Sequence, residues 1–86
     1  MYVLDVKPLA SKTFDKLTKN NKTLLKIIHK KIQEIQHNPD HKYKFLRKPV
    51  QNINRVHIDK HFVLLFKIYH KEKVIEILNF NHHDQI

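Results

Sequence analysis

Tyr2, Leu4 and Val6 alternate with Val3, Asp5 and Lys7, the two-residue period of a strand, and Pro8 closes the run. The period then lengthens. From about Leu9 to Lys19 the apolar residues Ala10, Phe14 and Leu17 share one helical face, while Lys12, Asp15, Lys16 and Lys19 lie largely outside it. Asn20-Asn21 interrupts the pattern. A longer helix is expected from about Lys22 to His37, with Leu24, Leu25, Ile28, Ile32 and Ile35 as its buried stripe and Lys22, Lys26, Lys30 and Lys31 in water. Asn38-Pro39 ends it, because the residue before proline is pushed out of the α region. Two amphipathic helices joined by so few residues predict an antiparallel hairpin packed on something flat.

From Asp40 to Gln51 the chain reads as a basic, irregular loop, with Tyr43, Phe45 and Leu46 set among His41, Lys42, Lys44, Arg47 and Lys48. Such a loop can follow a phosphate backbone and stack on bases, although Phe45 and Leu46 are expected to plug the core. Three strands follow. Asn54 to Asp59 places Val56 and Ile58 on one face and Arg55, His57 and Asp59 on the other. Phe62 to Tyr69 is almost wholly apolar, as for a central strand covered on both faces, and Lys73 to Phe80 is the last strand. The short links between the three predict an antiparallel meander. The order β-α-α-β-β-β predicts an α+β fold, a helical hairpin on a mainly antiparallel sheet, in one domain spanning residues 1–86.

Charge narrows the partners. Lys and Arg number 17 against 8 Asp and Glu, a formal +9, which favours a polyanion or an acidic protein. Only Arg47 and Arg55 carry the guanidinium that clamps phosphate through two parallel hydrogen bonds. Cys is absent, so neither a disulfide nor a thiolate metal site can form. Gly is absent too, which excludes Gly-rich phosphate cradles and leaves Asn, Asp or His for turns needing positive φ. No apolar run approaches the roughly 20 residues of a membrane span, and no hydrophobic leader follows Met1. A cytoplasmic protein is expected.

The candidate chemistry lies in two polar runs. Asn81-His82-His83-Asp84 follows the last strand, and Arg55-Val56-His57 alternates along another. Imidazoles, with an ordinary pKa of about 6.5, can share acid and base work near pH 7. Adjacent residues on an extended segment point opposite ways, so only one of His82 and His83 should enter a common site. His57, His82, His83 and Asp84 include sound zinc ligand types, but their spacing follows no known finger or hydrolase pattern, and no metal or other cofactor is expected. His29, His37, His41 and His70 receive no role. Arg55 has a competing use as a surface ion pair with Asp59 or Glu76, and His57 as a residue simply paired across the sheet.

The ordered set of a short first strand, a helical hairpin ending in Asn-Pro, a basic loop with Lys48-Pro49, Arg55-Val56-His57-Ile58, Phe62-Val63-Leu64-Leu65-Phe66 and a closing His82-His83-Asp84 resembles the RelE/ParE superfamily of type II toxins, in an archaeal-type RelE branch. The resemblance covers nearly the whole chain. It implies a toxin that cleaves mRNA without a metal, commonly on the ribosome, and an acidic antitoxin that neutralises it. Many relatives carry an Arg in the central strand at about the position of Val63, where this chain has none. Arg55, Arg47 or Lys60 would then have to replace it.

RNA cleavage by the 2′-OH needs a base for the 2′ proton, cations for the phosphorane, and an acid for the leaving 5′ oxygen. The expected catalytic set is His83, His82, His57, Arg55 and Asp84, with Asp84 orienting an imidazole. Arg47, Lys48, Lys60, Lys44 and Lys42 are the expected phosphate contacts. Two readings compete: a ParE-like inhibitor of a DNA topoisomerase, and a basic nucleic-acid-binding domain without catalysis.

Overall fold

The computed structural model describes residues 1–47 and 50–82, with the backbone alone at positions 46, 47, 50 and 51. Strand β1 (Val3–Val6) leads into helix α1 (Pro8–Asn20), where Pro8 sits at the first helical position and its missing N–H costs nothing. A single residue, Asn21, separates α1 from α2 (Lys22–His37). Its N–H donates to the Leu17 carbonyl at 2.8 Å, and its side-chain oxygen accepts from the Leu24 N–H at 3.1 Å. One asparagine therefore closes the first helix and caps the second. Strands β2 (Phe45–Arg47), β3 (Val50–Ile58), β4 (Phe62–Tyr69) and β5 (Val74–His82) complete the chain.

The five strands form one sheet in the order β1-β5-β4-β3-β2. β1 runs parallel to β5 and every other pair is antiparallel. The hairpin covers one face. Ala10, Leu24, Ile28, Ile32 and Ile35 pack there against Ile58, Leu64, Phe66, Ile75, Ile77 and Phe80, all buried. Burying side chains of this size contributes about 1.5–3 kcal/mol each, which makes this layer the main source of stability. Predicted stripe residue Leu25 is only half-buried.

The sheet departs from its sequence reading in three places. The segment expected to be an irregular loop contributes β2 and the start of β3, Phe45 pairing with Asn54 and Arg47 with Val50. Phe45 does not plug the core; its side chain is 53% exposed, and Tyr43 packs edge-on against buried Phe66 in its place. β4, by contrast, keeps its reading as a central strand: helices cover one face, and on the other Val63 is 1% exposed while Leu65 and Lys67 are half-buried. Finally, β5 runs on to His82, so His82 is a strand residue paired with Phe62.

A bulge decides which way the end of β5 faces. Leu65 pairs with Asn79 but Phe66 pairs with Ile77, so Leu78 is the extra residue. Strict alternation from Ile75 and Ile77 would turn Asn79 inward and Phe80 outward. The inserted residue reverses that parity, burying Phe80 and turning Asn79 and Asn81 onto the face opposite the helices. Positive φ occurs at Asp59 (56°) and Lys73 (59°), one in each of the hairpin turns flanking β4. None of the chain's asparagines adopts it among the described residues.

Candidate nucleic-acid interface

The register of the sheet builds the face opposite the helices row by row. Arg55 lies beside Leu65, which has Asn79 on its far side, and His57 beside Val63, which has Asn81 on its far side. Further along, Lys67 is opposite Glu76, which neighbours Asp5. Glu76 is held by Lys7 at 3.2 Å and by the Tyr69 hydroxyl, which donates to it at 3.2 Å; Lys7 also reaches Asp5 at 3.1 Å. These two carboxylates raise the Lys7 pKa above its ordinary value, Asp5 contributing most. The acid of this face is thus tied up by its own lysine, and Arg55 makes its contact elsewhere.

That contact is with the neighbouring strand. The Arg55 N–H donates to the Lys44 carbonyl at 2.8 Å, and its Nε–H donates to the Phe45 carbonyl at 3.2 Å. Among the described residues only Nε of the side chain is engaged, so the terminal guanidinium nitrogens keep the paired donors that fit a phosphate. Segment 41–44 enters beside β3 here because Tyr43 anchors it. The Tyr43 ring packs on Phe66, its hydroxyl donates to the Asn38 carbonyl at 2.9 Å, and buried Asn54 donates to the Tyr43 carbonyl at 3.2 Å. Burial pushes the Tyr43 pKa up.

Between this segment and β3 lies a depression of about 260 Å³, lined by His41, Lys42, Tyr43, Lys44, Arg55, Val56 and His57. Four of the expected residues therefore meet at one place: Arg55, His57, Lys42 and Lys44. His41, given no role from sequence, joins them. Its ring stands edge-on to Tyr43 at 4.8 Å between centroids. Nothing in the local pattern marks His41, since only the return of the chain along β3 brings it to Arg55.

His82 lies apart. It stands on the helix-bearing face, edge-on to Phe62 at 5.3 Å, and Phe62 stacks on Phe80. The His61 ring is parallel to it, centroids 6.0 Å apart. His57 and His82 are thus on opposite faces of the sheet, a consequence of the β5 bulge. Lys60 is exposed in the β3–β4 turn. The Arg47 side chain and Lys48, His83 and Asp84 lie outside the described residues.

A helical hairpin on one face of a mixed five-stranded sheet is the architecture of the RelE/YoeB/ParE toxins. It matches the YoeB/ParE toxin of Agrobacterium tumefaciens with a TM-score of 0.83 over 94% of this chain and 98% of that one, at 10% identity. It matches a chain of the RelBE2 toxin–antitoxin complex of Mycobacterium tuberculosis with a TM-score of 0.74 over 94% and 96%, at 18% identity. At such identities the likeness is one of fold. Sequence carries it further. The family model described as the ParE toxin of the type II toxin–antitoxin system matches residues 4–86. A candidate toxin of Methanocaldococcus jannaschii, RelE4, is 45% identical over 86 residues, all of this chain and 90% of that protein. The chain belongs to the ParE toxin family, within the RelE/ParE superfamily, and is the toxin of a type II toxin–antitoxin system.

Proposed function

We propose that this toxin is an mRNA endoribonuclease that cleaves by metal-independent attack of the 2′-OH. The observation carrying the reading is the meeting of Arg55, His57, Lys42 and Lys44 around one depression at the β3 edge. Arg55 would hold the scissile phosphate and its developing charge, and the lysines would track the flanking backbone. His57 would serve as one of the acid–base pair. His83, oriented by Asp84, is proposed as the other, because an acid and a base are both needed. His82 belongs to the proposed set through its position at the sheet end beside His61 rather than through proximity to His57. Arg47, Lys48 and Lys60 are proposed as outer phosphate contacts.

The partner is proposed to be an acidic antitoxin with a segment that folds on binding, since a +9 surface attracts a complementary chain. Action in the cytoplasm, on free or ribosome-bound mRNA, follows from the same reading. Among the described residues no helix is long and apolar enough to cross a membrane.

Incubation with mRNA, with and without ribosomes, tests the proposal. Wild type should cut, and Arg55→Ala and His83→Ala should lose most of the activity. The family model's ParE description favours a second reading, inhibition of a DNA topoisomerase. Intact RNA in every reaction together with gyrase inhibition would establish that reading instead.

A further inference from the structure

The β2–β3 corner of the sheet carries a second groove, of about 520 Å³, on the helix-bearing side. Segment 39–43 forms one wall. Phe45, Asn52, Asn54, Ile68 and His70 line the rest, with Lys42 at the junction with the smaller depression. His41, Lys42 and Tyr43 border both, so the two are continuous around the anchored segment.

The groove combines an exposed ring, an exposed amide and positive charge. Phe45 is 53% exposed although it sits in a strand beside Asn54, on the same face as the core. Asn52 is exposed and offers both donor and acceptor atoms. Asn54, by contrast, is buried and committed, donating to the Tyr43 carbonyl. His70 is hydrogen-bonded to the Tyr2 hydroxyl at 3.0 Å and lies 3.7 Å from the Asp40 carboxylate. Asp40, the acid on this rim, therefore faces a histidine, and Lys42, Lys44 and His41 leave the surroundings basic.

We infer that this groove is a base-binding subsite for single-stranded RNA, with the Phe45 ring as stacking platform and the Asn52 amide reading the edge of the base. The inference rests on the nuclease reading, because the groove adjoins the Arg55–His57 depression through Lys42. An apolar protein segment is the less suitable occupant, since basic side chains border an exposed aromatic ring and an exposed amide. An unpaired nucleotide presents a π-face, polar edges and a phosphate, one for each of these groups. Lys42, at the junction, would carry the phosphate linking the bound base to the cleavage site.

A fully 2′-O-methylated single-stranded oligonucleotide, which offers no attacking hydroxyl, and an unmodified RNA of mixed sequence form the test. With 2-aminopurine walked along the methylated strand, wild type should quench it at one position. Phe45→Ala should weaken binding about tenfold and abolish that quenching, while Phe45→Tyr retains both. On the unmodified RNA, Asn52→Ala should keep cutting but at a broadened set of sites. Unchanged melting temperatures would exclude a folding defect, as both side chains are exposed. If both alanine variants bind and cut as wild type does, while Arg55→Ala loses cleavage, the subsite is refuted and the nuclease reading stands. If Phe45→Ala weakens antitoxin binding and leaves RNA untouched, the groove is a protein site and the inference fails. If wild type neither binds nor cuts RNA, both readings fall together.

Discussion

Arg55 is held by its main chain and by one side-chain nitrogen, both bonded to carbonyls of the adjoining segment. Lysine at this position would keep the charge but lose the Nε–H bond to Phe45 and the planar pair of donors. Arg55→Lys should therefore lose cleavage nearly as fully as Arg55→Ala, about 100-fold or more in single-turnover rate. His57→Ala should lose roughly 10²–10⁴-fold and leave residual activity, as expected for one proton-transfer group. Tyr43 supports a stability prediction of known sign. Burial raises its folded pKa above the ordinary 10.0, so the phenol contributes stability that is fully present below about pH 10 and lost as pH rises through the folded value. Tyr43→Phe removes the bond to the Asn38 carbonyl and should cost about 1 kcal/mol at neutral pH. In denaturant titrations the gap between the two proteins should narrow above about pH 10. His57 and Arg55 were legible from sequence because strand alternation alone puts them on one face. His41 was not, because its place depends on a chain return that no local pattern encodes.

At the scale of elements, periodicity located what one-sided burial dictates. The α2 stripe of Leu24, Ile28, Ile32 and Ile35 is buried as its spacing predicts, and α2 keeps its predicted bounds of Lys22 to His37. What escaped is what the partner strand supplies. β2 is three residues long, and its basic composition reads as a loop until β3 pairs with it. The β5 bulge left a faint trace, since Leu78, Asn79 and Phe80 break the alternation of Ile75 and Ile77. Its effect on His82 still required the register against β4. The turns carry a further prediction. Lys73 is held at φ 59°, where a side chain with a Cβ is strained by about 1–2 kcal/mol. Its carbonyl accepts from the Val3 N–H at 2.9 Å, so the turn also fixes the parallel β1 edge. Lys73→Gly should raise the melting temperature by a few degrees, part of the relief being offset by the freer unfolded chain. Exposed Lys71→Gly, without a positive φ to relieve, should not raise it.

Over the whole molecule, charge and architecture divide the labour. The helical hairpin spends its apolar stripe on one sheet face, and the opposite face carries Arg55, His57, Asn79 and Asn81 around Val63 and Leu65. Carboxylates on that face are neutralised locally by Lys7, while Lys42, Lys44 and Arg55 border the depression. Binding to single-stranded RNA should accordingly weaken steeply with salt. Lys44→Ala should lower the slope of log affinity against log salt by about 0.7, the value expected when one fewer phosphate of a single strand is neutralised. Lys26→Ala, on the exposed side of α2, should leave the slope unchanged. Fold and family were readable from the order of elements, since all but β2 are patterned strongly enough to survive without an alignment. The chemistry was readable only as a set of residue types, because its geometry is made by long-range pairing.

The proposed attack by the RNA's own 2′-oxygen can be tested with a single substrate. A short RNA cut by the wild-type protein at a mapped site is compared with the same RNA carrying a single 2′-deoxynucleotide on the 5′ side of that site. The first should carry a 2′,3′-cyclic phosphate at the cut, and the second should not be cleaved at that position. Cleavage that persists beside the deoxynucleotide, or products bearing a 5′-phosphate, would contradict the proposal.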